Sequence, residues 1–86
     1  MSIVRIQLDV PFERNKEIED LMKRTSTSTK KEFINNALTL LEWAIEETEN
    51  GRVIASLDEQ NKSYKELVMP ILAAVKRKEP ATASTY

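Results

Sequence analysis

Residues 2 to 11, SIVRIQLDVP, alternate strictly. Val4, Ile6, Leu8 and Val10 are apolar, and Arg5, Gln7 and Asp9 between them are polar, the period-two pattern of a strand with one buried face. Pro11 closes the stretch, because it has no amide hydrogen for a ladder and its fixed φ suits the first turn of a helix. The period then changes. In FERNKEIEDLMKR, Phe12, Ile18, Leu21 and Met22 fall on one narrow stripe among charges, which predicts a short amphipathic helix. The run TSTST, Thr25 to Thr29, breaks it, since hydroxyl and β-branched residues in series favour turns and caps over a helix interior.

A longer helix is predicted next. Ser28 or Thr29 can cap it, and TKKE from Thr29 to Glu32 has the spacing of a capping box. Phe33, Ile34, Ala37, Leu38, Leu41, Ala44 and Ile45 recur at three- and four-residue steps, with Leu40 and Trp43 widening the stripe. Asn50 and Gly51 end it, Gly51 supplying a left-handed residue past the last turn. RVIASLD then reads as a short extended segment. In DEQNKSYKELVMPILAAVKRK, Tyr64, Leu67, Val68, Ile71, Leu72 and Val75 lie on a helical stripe, interrupted at Pro70 by a kink or by a break after Met69. EPATASTY has no apolar period and is expected to be a disordered tail.

The chain has 86 residues, no cysteine and no histidine. Disulfides, thiol nucleophiles, imidazole acid-base work and most transition-metal sites are therefore excluded, and no cofactor or metal is expected. The carboxylates Glu42, Glu46, Glu47 and Glu49 read as a solvated helix face without a nucleophile beside them, so an enzyme is not expected. The first residues lack the order of a secretion signal and no apolar run has the length of a membrane span, which points to a cytoplasmic chain. Net charge is −1, but residues 1 to 31 hold Arg5, Arg14, Lys16, Lys23, Arg24, Lys30 and Lys31 against Asp9, Glu13, Glu17, Glu19 and Asp20, a small positive excess. An anionic partner would meet that part of the chain.

No second strand lies near enough to residues 2 to 11 for a hairpin, so the simplest partner is the same strand of another copy, paired antiparallel about a two-fold axis. Centring the axis on Gln7 sets Arg5 of one chain opposite Asp9 of the other, twice by symmetry. The order of strand, proline, short amphipathic helix, hydroxyl-rich turn and longer apolar helix resembles the ribbon-helix-helix superfamily of Arc, MetJ and CopG type repressors. The resemblance covers about residues 3 to 49. It implies a mainly α fold with one N-terminal β-strand, an intertwined dimer with an intermolecular antiparallel β-ribbon, and here a C-terminal helical extension. The expected organisation is a dimerisation and DNA-binding domain over 1 to 50, an extended segment plus helix over 51 to 79, and a tail over 80 to 86.

The resemblance also implies sequence-specific binding of double-stranded DNA by a dimeric transcriptional repressor, its β-ribbon in the major groove. The base-contacting positions are Arg5, Gln7 and Asp9. Arginine can bridge guanine O6 and N7, and glutamine adenine N6 and N7. The phosphate-contacting positions are Ser28, Thr29, Lys30 and Lys31, where helix-start amides, hydroxyls and ammonium groups meet. Two departures stand out. Asp9 brings a carboxylate to DNA unless it accepts from cytosine or is held by Arg5 of the other subunit, and the turn lacks the glycine that commonly precedes the second helix, leaving Ser26 to take that geometry. Two other functions fit the sequence: an antitoxin whose residues 53 to 75 bind a toxin, and a dimeric adaptor that never touches DNA.

Overall fold

The structure is a computed structural model that describes residues 2–78; the tail expected over residues 80 to 86 lies outside the described residues. The elements run α1 (Phe12–Arg24), α2 (Lys30–Glu49), β1 (Ala55–Asp58), β2 (Ser63–Glu66) and α3 (Pro70–Ala73). This order corrects the expected fold class. The fold is not one N-terminal strand followed by helices: residues 2–11 carry neither helix nor strand. Among the described residues the sheet is an antiparallel pair formed after the two long helices. Alternation specifies which side chains share a face, but a strand exists only where a second backbone accepts its ladder, and residues 2–11 have none among the described residues.

The chain divides into two compact units, the first ending at Asn36 and the second beginning at Ala37. In the first unit, α1 opens directly after Pro11, whose carbonyl accepts the Asn15 amide at 2.9 Å. The exposed Phe12 ring lies under the Lys16 ammonium, 5.1 Å from its centroid, a cation–π contact that shields an apolar face. Arg14 bridges Glu17 at 2.8 Å and Arg24 bridges Asp20 at 3.3 Å, while Lys23 and Arg24 in the last turn complement the helix dipole. The helix ends in a Schellman turn. Ser26 donates to the Lys23 carbonyl at 3.2 Å and Thr27 to the Met22 carbonyl at 2.9 Å, which requires a left-handed residue between them. Ser26 supplies it at φ +56°, in place of the glycine usual there.

In the second unit α2 ends in the same way, this time with glycine. Gly51, at φ +84°, donates to the Thr48 carbonyl at 3.0 Å, and Arg52 to the Glu47 carbonyl at 2.9 Å. The Arg52 guanidinium also grips both oxygens of Glu47, at 2.7 and 3.2 Å. Farther along, the Lys78 amide donates to the Glu49 carbonyl at 2.7 Å, satisfying one of the orphan acceptors at the end of α2. The buried side chains among the described residues of this unit are Ala44, Leu72 and Thr48, the last with its hydroxyl donating to the Ala44 carbonyl at 2.9 Å.

β1 lies within the segment that reads as extended, but the helix expected from Asp58 onward does not form before Pro70: residues 59–62 make a loop and Ser63–Glu66 return along β1 as β2. Leu57 pairs with Tyr64 and Asp58 with Ser63. The tip is set by Asp58, whose carboxylate accepts the Asn61 backbone amide at 3.3 Å and its side-chain amide at 2.8 Å, and by Lys62 at φ +53°. An Asx turn followed by a left-handed residue reverses the chain, so the three- and four-residue spacing of Tyr64, Leu67 and Val68 is not realised as a helix. Pro70 opens only the four-residue α3, after Met69 at φ −137°, ψ 143°, the extended backbone that a following proline favours.

The two helix ends make opposite predictions. Ser26→Gly should stabilise the chain by about 1 kcal/mol and Gly51→Ala should destabilise it by about 1–2 kcal/mol, read from urea unfolding midpoints, because a left-handed conformation is costly for any residue with a Cβ. Space is not the issue at Gly51, where an added Cβ would meet nothing within 4 Å.

Acid should loosen the second unit. The Glu47 carboxyl is held below its ordinary 4.5 first by its hydrogen bond from Arg52, and Asp58 below its ordinary 3.8 first by the Asn61 side chain. A depressed carboxylate pKa contributes stability that is present above the unfolded value and lost as pH falls through the folded one. Unfolding midpoints should therefore fall as pH drops below about 4.5, and Arg52→Gln should flatten that dependence.

Candidate nucleic-acid interface

The seven residues predicted to meet DNA all belong to the first unit and all are exposed. Three lie in the segment before α1. Ile6, Leu8 and Val10 line one groove together with Ile18 of α1 and Phe33 and Ile34 of α2. The alternate residues Arg5, Gln7 and Asp9 do not line it, and they make no hydrogen bond or ion pair with another described residue. The segment is thus two-sided without being a strand: an apolar side shared with the helices and a polar side open to solvent. Even the apolar side is poorly covered, with Ile6 77% and Leu8 71% exposed.

The other four residues stand at the start of α2. Thr29 is the cap: its hydroxyl accepts the Glu32 amide at 3.1 Å and its carbonyl accepts the Phe33 amide at 3.1 Å. Its oxygen is therefore committed to the helix, while the amides of Lys30 and Lys31, in the first turn, have no intrahelical acceptor. The Lys30 ammonium donates to the Asn15 side-chain carbonyl of α1 at 3.1 Å. That bond holds the α2 start against α1 and places Lys30 on the same groove as Ile6, Leu8 and Val10. Lys31 and Ser28 are exposed and their side chains make no hydrogen bond or ion pair with another described residue.

Sequence reasoning missed Asn15. Its partner is fifteen positions away across the turn, and no periodic pattern marks such a pair. Lys30 is accordingly a positioned cation, and Lys31 is the more available one. Two cations in a first helical turn oppose the dipole, and an anion at the exposed amides would relieve that.

Among the described residues, no group of three or more histidine, cysteine, aspartate or glutamate side chains is placed to hold a metal ion, and no helix is long and apolar enough to cross a membrane. The cap is the cheapest part of this site to test. Thr29→Ala should lower stability by about 1 kcal/mol, measured by thermal or urea unfolding, because the Glu32 amide loses its acceptor. Comparison with family models, with curated proteins and with solved structures finds no match to this chain.

Proposed function

We propose that the chain is a sequence-specific DNA-binding repressor that acts as a homodimer in the cytoplasm. One observation carries the proposal: a single groove of the first unit gathers the apolar side of residues 6–10 and Lys30 of the α2 start, so candidate base-reading and phosphate-gripping groups belong to one unit. Arg5, Gln7 and Asp9, exposed and without a partner among the described residues, offer a guanidinium for guanine, an amide for adenine and an acceptor for the cytosine amino group. Lys31, Lys30 and the first-turn amides of α2 supply charge and donors for phosphate oxygens, which fix register without reading sequence.

The homodimer is supported by what the lone chain leaves in water. Ile3, Val4, Ile6, Leu8 and Phe12 are all at least 70% exposed, and the first unit has no buried residue among those described. Apolar side chains left open on this scale favour association, and a second copy is the partner that every such chain has. Two copies related by a two-fold axis would recognise an inverted repeat. The similarity to ribbon-helix-helix repressors enters this proposal through the two helices, the turn and the cap alone.

The test is a fluorescence-anisotropy titration against DNA from upstream of the chain's own gene beside scrambled DNA, at several salt concentrations. Arg5→Ala should weaken binding to the upstream DNA by about 5- to 150-fold, equivalent to about 1–3 kcal/mol, with little effect on scrambled DNA. Lys31→Ala should weaken both and reduce the salt slope by about one per chain. Equal affinity of the unmodified protein for the two DNAs would overturn the proposal.

A further inference from the structure

The hairpin leaves one unprotected edge. The Leu67 amide donates to the Ile54 carbonyl at 2.7 Å, so with the register Ala55↔Glu66 through Asp58↔Ser63 the bonded pairs are Ile54 with Leu67, Ser56 with Lys65 and Asp58 with Ser63. In an antiparallel pair the intervening residues aim their backbone groups away from the partner. Those of Ala55 and Leu57 therefore point out along β1, and those of Tyr64 and Glu66 out along β2. The described sheet contains only these two strands, and every residue of both is exposed. A two-stranded hairpin exposed on all sides is marginal in water.

The two edges differ in chemistry. Natural sheets guard open edges with charges, above all lysine, or with proline. Around β2 stand Lys62, Lys65 and Glu66; along β1, residues 53–57 read Val-Ile-Ala-Ser-Leu without a charge. Such an uncharged, β-prone run at an open edge is a template for another strand.

We propose that β1 is a self-association edge, on which the β1 strand of a second copy pairs antiparallel about a two-fold axis centred on Ala55. The occupant is argued from complementarity. In this register Val53 faces Leu57, Ile54 faces Ser56, and Arg52 faces Asp58, each twice by symmetry, and no like charges meet. Arg52 keeps its own Glu47, and the Asp58 carboxylate lies beyond it as a second anion. Pairing through β2 is worse: centred on Lys65 or Glu66 it sets like charges opposite, and centred on Tyr64 it runs into Lys62, whose φ of +53° ends the extended backbone. The same pairing brings Val53 and Leu57, 47% and 69% exposed, into apolar cross-strand contact. This inference is independent of DNA binding.

Sedimentation equilibrium of the full chain tests it. Ala55→Pro removes an outward amide that the hairpin does not use, and Glu66→Pro removes the equivalent amide of β2. Ala55→Pro should lower the weight-average mass about twofold at concentrations where the unmodified chain associates, and Glu66→Pro should leave it unchanged. Because the chain has no cysteine, Ala55→Cys and Lys65→Cys provide a second readout that needs no proline. A short bis-maleimide should join two Ala55→Cys chains about tenfold faster than two Lys65→Cys chains. An unmodified chain that stays at monomer mass, a mass unaffected by Ala55→Pro, or equal cross-linking at the two positions would each overturn the proposal.

Discussion

The constraint on which everything else depends is how little apolar surface one chain removes from water. Among the described residues only Ala44, Leu72 and Thr48 are buried, and Leu72 is the one large hydrophobic side chain of the three. Ordering each residue's backbone costs about 1–2 kcal/mol, whereas burial returns only about 25 cal/mol for each Å² of apolar surface covered. The side chains able to make that contribution, Ile6, Leu8, Phe12, Leu38, Leu40 and Trp43 among them, remain largely exposed. A balance of this kind favours association, the feature common to the repressor dimer and the β1 pairing proposed for this chain.

Within a single chain, local devices define the elements. α1 is closed by Ser26 and Thr27 bonding back to Lys23 and Met22, α2 is opened by Thr29 and closed by Gly51 and Arg52, and the hairpin tip is closed by Asp58 and Asn61. Each helix cap is worth about 1 kcal/mol, enough to set where a helix starts or stops and far too little to hold a fold together. The surface ion pairs Arg14–Glu17 and Arg24–Asp20 add less still, being exposed and screened.

Charge placement has the same local character. The chain is nearly neutral overall, so no long-range field draws it to an anion. What it has is position: Lys30 tied to Asn15 at the head of α2, Lys31 beside it without a partner among the described residues, and Arg5 on the open side of the preceding segment. A phosphate at the α2 start would meet oriented amides together with one cation already held in place and a second beside it, which counts for more than net charge at contact distance.

Sequence by itself determined the two long helices and their ends, because capping, left-handed stops and amphipathic spacing involve residues within one or two turns of one another. α1 over Phe12–Arg24, the Thr29 cap and the stop at Gly51 lie where those local signals put them, and Ser26 takes the left-handed conformation that a turn without glycine required. Only the tertiary structure decided the strand pairing. Residues 2–11 alternate perfectly and form no strand, while Ser63–Glu66, whose apolar spacing suited a helix, pair with Ala55–Asp58, which lie in the segment that read as extended. The candidate site divides along the same line: the residue types at positions 5, 7, 9 and 28–31 were legible, but the Lys30–Asn15 bond and the shared groove were not. The physical reason is common to both cases. A helix satisfies its backbone from its own neighbours in sequence, whereas a strand or a site needs a partner that a one-dimensional pattern does not contain.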